Sequence, residues 1–248
     1  MPTIMNMRIT SPEQISRDGL ELADGQDWLI KNCIIDLSAC PLDEIDEAVA
    51  IVGGSSATFQ NCVIKGAGKL FLCGSGDTDK AGVERGKVVR LHSCILEDFG
   101  RRGPEVQAGM QVFMRDCLIR NWCEPSRFSV RSFGAWAHSG GKIWAKDCIF
   151  TQPSFWRGIG LFLRDFAGHV GQAVNDSGLW ALFSPRTYLP GVCRGLTAGP
   201  GGHVEAEHCY AGRWWVRIEN HSRPMCREDA LLKAMSLKSM QEQLEATL

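Results

Sequence analysis

Residues 112–119 read VFMRDCLI, and that stretch decides the fold. Val112 and Met114 alternate with Gln111 and Arg115, with Phe113 the one apolar exception, the period of two that marks a strand with one buried face. A polar pair, Arg115-Asp116, leads into Cys117 and two further apolar residues. The arrangement recurs as WLIKNCII (28–35), ATFQNCVI (57–64), VRLHSCIL (89–96), IWAKDCIF (143–150) and VEAEHCYA (204–211). The cysteines stand at 33, 62, 94, 117, 148 and 209, and their successive gaps are 29, 32, 23, 31 and 61 residues. Self-similarity at a period of roughly 20 to 50 residues marks a solenoid, and the last gap is close to two periods. One strand per unit, always in the same chain direction, stacks as a parallel ladder, and parallel ladders need wrapped connections. The expected fold is therefore all-β, a parallel β-helix with several short strands per coil, in one domain over residues 1–248.

The same register explains the cysteine count. Eleven cysteines are present without a CxxC pair or the spacing of a zinc site. At equivalent positions of successive coils, six of them are expected to stack inside the solenoid as small hydrophobes. A metal or disulfide role is the alternative. The last segment, REDALLKAMSLKSMQEQLEATL, places apolar residues at 231, 232, 235, 237, 240 and 244, a helical spacing. A C-terminal capping helix is expected within 223–248, because an open parallel end exposes unpaired strand edges.

Composition narrows the function classes. Apolar residues at 44% and charged residues at 22% suit a packed domain. A net charge of −1 gives no reason to expect nucleic acid or an anionic membrane as partner. No apolar run approaches the roughly 18 to 20 residues of a membrane span. MPTIMNMRIT has no basic segment followed by an apolar core, so no signal peptide is expected and the chain as read is cytoplasmic.

Just before the opening stretch stands Arg102-Gly103-Pro104-Glu105-Val106-Gln107-Ala108-Gly109. It resembles the Arg-x-Pro-x-x-Arg-x-Gly pattern of the pectate lyase superfamily, specifically the family 1 polysaccharide lyases, with Gln107 in place of the second arginine. The resemblance runs from about residue 18 to about 150. It takes in GKLFLCGSGDTD (68–79), VVRLHSCILEDFGRR (88–102) and FSVRSFGAWAHSGGKIWAKDCIF (128–150). It implies a right-handed parallel β-helix, an extracellular setting, and β-elimination on an acidic polysaccharide of the polygalacturonate type.

That chemistry removes the C5 proton beside a carboxylate and expels the glycosidic oxygen on C4. Cations at the carboxylate stabilise the charge that develops, and calcium, a hard cation with oxygen ligands, is the cofactor implied. Carried over by position, the resemblance makes Arg102 the catalytic base and Lys69 and Arg131 substrate-binding cations. It makes Asp18 and Asp46 the calcium ligands. The chain departs from the pattern at Ala50, where a third carboxylate is implied, at Val52 and Gln107, where cations are implied, and at Lys31-Asn32, which replaces an Asp-His pair. An arginine pKa of about 12.5 to 13.8 also leaves little base form at neutral pH. Two functions stay open: a calcium-dependent lyase, or a catalytically altered β-helix that binds an acidic glycan or a protein partner through the same groove. Trp180, Tyr188, Trp214 and Trp215 are candidates either for stacking on sugar rings or for the core.

Overall fold

The computed structural model describes residues 1–11, 18–40, 45, 47–74, 85–100, 102–122, 133–151, 193–212 and 216–248. Within them the chain winds through three parallel sheets in strict rotation. Sheet A holds β1 (Thr3–Met5), β4 (Asp27–Lys31), β7 (Ser56–Gln60), β10 (Val88–His92), β13 (Gln111–Arg115), β16 (Lys142–Lys146), β19 (His203–Glu207) and β22 (His221–Ser222). Sheet B holds β2 (Arg8–Ile9), β5 (Ile34–Asp36), β8 (Val63–Lys65), β11 (Ile95–Phe99), β14 (Leu118–Trp122), β17 (Ile149–Thr151) and β20 (Tyr210–Ala211). Sheet C holds β3 (Leu20–Leu22), β6 (Glu47–Ile51), β9 (Lys69–Cys73), β12 (Arg102–Val106), β15 (Phe133–Ala137), β18 (Cys193–Ala198) and β21 (Val216–Ile218). This is the parallel β-helix that the repeat predicts.

The repeat motif is the corner between sheets A and B. Asn32, Asn61, Ser93, Asp116, Asp147 and His208 all have positive φ, from 49° to 55°. Short polar side chains tolerate that left-handed conformation better than most. The left-handed residue turns the chain, and the following cysteine points inward. Cys33, Cys62, Cys94, Cys117, Cys148 and Cys209 are all completely buried in one continuous core. They are stacked: the Val63 N–H donates to the Cys33 carbonyl, Ile95 to Cys62, Leu118 to Cys94 and Ile149 to Cys117. The Asn6, Asn32 and Asn61 amides hydrogen-bond in a row at the same corner, at 3.2 and 3.3 Å.

Helix α1 (Arg227–Thr247) is capped by Cys226, whose Sγ accepts the Asp229 N–H. Glu228 and Asp229 occupy its first turn, where negative charge suits the helix dipole. The helix lies along the outer face of sheet B, covering the apolar row Ile34, Val63, Ile95, Leu118 and Ile149 with Ala230, Leu237, Met240 and Leu244. Polar pairs fix its position. Gln241 donates to Glu97 at 3.0 Å, Arg120 donates to Glu97 at 2.6 Å, and Lys233 pairs with Asp116.

Candidate functional site

Sheet C positions the candidate residues through an irregularity in its strands. A strand normally alternates its side chains between faces. Here Glu47 and Ala50, Lys69 and Leu72, Arg102 and Glu105, and Phe133 and Trp136 each stand three residues apart, and none of them joins the apolar core cluster. The ladder pairs Glu47 with Lys69, Lys69 with Arg102 and Arg102 with Phe133. A second row pairs Ala50 with Leu72, Leu72 with Glu105 and Glu105 with Trp136. Between the rows lie Gly103 and Gly134. A Cβ on Gly103 would come within 1.8 Å of the Gly134 carbonyl oxygen, so the close approach of these strands requires glycine.

The two rows converge on Glu105, which is 4% exposed. Its Oε1 accepts from Arg102 and lies 3.0 Å from His138 Nε2. Its Oε2 lies 3.9 Å from the Lys69 ammonium, which pairs directly with the buried Glu47. Burial alone would raise the Glu105 pKa. Hydrogen bonds from His138 and Arg102, together with the Arg102 and Lys69 charges, outweigh it and bring the group down to about 2. Glu105 is therefore a fixed anion at any ordinary pH. The Arg102 guanidinium lies 4.2 Å from the centre of the Trp136 ring, within cation–π range. His138 stacks on the same indole at 4.0 Å, and Ser139 Oγ stands 2.9 Å from its Nδ1.

The carried-over residues are thus partly assembled. Lys69 and Arg102 are ladder neighbours. Asp18 lies beside them in the chain of contacts: its Oδ1 accepts the backbone N–H of Glu47 at 3.2 Å. Asp46, Arg131, Trp180, Tyr188, Trp214 and Trp215 lie outside the described residues. Gln107 directs its amide to the Gly74 carbonyl at 3.0 Å, a bond between coils. Among the described residues no three His, Cys, Asp or Glu side chains converge as a metal site. Glu47, Glu105, Trp136 and His138 were not singled out from the sequence. The signal for Glu105 lay in its spacing, three residues after Arg102 across a Gly-Pro step, but an i,i+3 pair on one face is a helical expectation, not a strand one.

Chemically, the cluster is a set of cations held in place by buried carboxylates. Arg102 is 24% exposed and, among the described residues, makes one hydrogen bond, to Glu105, from a fork of five donors. Its Nε and Glu105 Oε2 are buried without a hydrogen-bond partner among the described residues. A guanidinium does not give up its proton in proteins. The arrangement is suited to gripping a carboxylate, while proton abstraction by Arg102 is chemically costly. Compared with known families and with curated proteins, the sequence matches no family model and no curated protein.

Proposed function

We infer that the protein binds an acidic polysaccharide, of the uronic-acid type, along sheet C, with Arg102 and Lys69 receiving sugar carboxylates. The observation that carries this reading is the ladder pairing of Arg102 with Lys69, with the Arg102 fork anchored through one donor to a buried, permanently charged Glu105. Arginine grips a carboxylate through two parallel bonds when its plane is fixed, and Glu105 and Trp136 fix it. Lys69 and Arg102 are offset by Glu47 and Glu105, so each single grip is weak. Useful affinity then comes from repetition along the polymer.

Elimination by the same site is the second reading, favoured by Arg102 entering strand β12 directly before the rigid Gly103-Pro104 step. It adds calcium at Asp18 and Asp46 and assigns the C5 proton to Arg102. One experiment separates the two. Wild type and Arg102→Ala are incubated with de-esterified polygalacturonate, with calcium or with chelator, and followed both by binding and by ultraviolet absorbance of the unsaturated product. Binding without product, lost in Arg102→Ala, supports the first reading. Calcium-dependent product, lost in Arg102→Ala, supports the second. Neither binding nor product from wild type contradicts both.

A further inference from the structure

The outer face of sheet A has a feature unlike the rest of the described surface. One outward row runs Leu29, Thr58, Arg90, Phe113, Trp144 and Glu205 across successive strands. Phe113 and Trp144 stack face to face, 4.6 Å between centroids and 7° from parallel, and Phe113 is 39% exposed. On either side of this stack, on the same three strands, stand Arg90, Arg115, Lys142 and Lys146, all exposed. No carboxylate occupies an outward position of β10, β13 or β16. Arg90 and Lys142 have no ion-pair partner among the described residues, whereas Arg115 is 3.4 Å from Asp116 and Lys146 is 3.0 Å from Glu207. The strip is bounded by Glu205 and Glu207 on β19 and by Asp27 on β4.

We propose that this strip, Arg90, Arg115, Lys142 and Lys146 around the Phe113–Trp144 stack, is a second binding surface, docking a linear acidic polysaccharide across β10, β13 and β16. Charge complementarity selects a polyanion: no carboxylate shares the outward positions of the three strands, and of the four cations Arg90 and Lys142 have no ion-pair partner among the described residues. Ring geometry selects a sugar polymer over single-stranded nucleic acid. Bases bind by stacking on open aromatic faces. Here Phe113 and Trp144 spend a face on each other, and the tilted His203 ring stands 6.3 Å from Trp144. What remains is the single outer face of Phe113, too little for successive bases to stack on, and long cationic side chains suited to carboxylate or sulfate groups repeated along a chain. The strip goes beyond the sheet C site, shares no residue with it, and can fail or hold independently.

The test uses the full-length chain and four probes at low salt: de-esterified polygalacturonate, its methyl-esterified counterpart, dextran sulfate and a single-stranded DNA oligonucleotide. Wild type is compared with Arg90→Glu/Lys142→Glu, with Glu205→Lys, with Arg102→Ala, and with the triple combination of the first and last. The double variant should bind at least one acidic polysaccharide about tenfold or more weakly, the loss expected for a charged contact, with an unchanged melting temperature. Glu205→Lys should bind it more tightly, and the esterified polymer should bind to neither. The loss should persist in the Arg102→Ala background, which separates this strip from sheet C. Which polymer responds distinguishes carboxylate from sulfate as the preferred group. Equal binding by wild type and the double variant overturns the proposal, as does a preference for DNA over both acidic polysaccharides. If Arg102→Ala alone removes all binding, the strip fails while the sheet C reading stands.

Discussion

Glu105 is buried and charged, which makes it the most exposed point of the account to measurement. Its folded pKa of about 2 lies below the value of about 4.3 for an ordinary glutamate. A depressed carboxylate contributes stability that is complete above the unfolded pKa and is lost as pH falls through the folded one. The window therefore runs from about pH 4.3 down to about 2, with on the order of 3 kcal/mol at stake. Chemical denaturation at pH 5 and pH 2 should show this loss in wild type. Glu105→Gln should be less stable at neutral pH, because Arg102 loses its anion, but flatter across the acid window. Parallel acid limbs for the two proteins would contradict the assignment. The cysteines give a second residue-scale test. Burial pushes the Cys94 and Cys148 thiols well above their ordinary range, and a neutral buried thiol is a poor nucleophile. Thiol reagents should label the exposed Cys226 in the native protein and leave Cys33, Cys62, Cys94, Cys117, Cys148 and Cys209 unlabelled until denaturant is added.

At the scale of elements, the corner between sheets A and B was legible because its chemistry is local. A polar residue able to adopt positive φ, followed by a small inward one, is visible six times over. Helix α1 was also legible, since its apolar spacing is internal to the segment. Its resting place was not, because covering the row from Ile34 to Ile149 depends on residues far apart in the chain. The Glu97–Arg120–Gln241 contact is of the same kind, joining β11, β14 and α1. Arg120→Ala would leave Glu97, 3% exposed, with the Gln241 amide but without its guanidinium partner, a loss of about 3 kcal/mol. Equilibrium unfolding in denaturant reads that directly, and an unchanged midpoint would show that the contact is not formed. Sheet C carries a parallel expectation. Gly103→Ala drives a methyl group into the Gly134 carbonyl and should cost about 3 kcal/mol. The same substitution should weaken polymer binding, because it pushes β12 from β15 and so moves Arg102 away from the Trp136 ring it rests on.

Across the whole molecule, the solenoid converts a repeat of sequence into rows of side chains along three parallel sheets. The repeat foretold the fold, and the fold makes Lys69 and Arg102 ladder neighbours. Reading residue by residue missed their partners, Glu47, Glu105, Trp136 and His138, because these meet only through strand register and the close approach at Gly103 and Gly134. The Arg102 row carries the central claim, and calorimetric titration of wild type and Arg102→Lys with de-esterified polygalacturonate tests it most directly. Lysine keeps the charge opposite Glu105 but lacks the planar fork, and because the side chain at 102 is half-buried against Glu105, the melting temperatures of the two proteins are compared so that weaker binding is read on folded protein. The account predicts binding by wild type that weakens with salt, and binding to Arg102→Lys at least about tenfold weaker through the lost bidentate grip. Equal affinity of the two proteins for the polymer would contradict it.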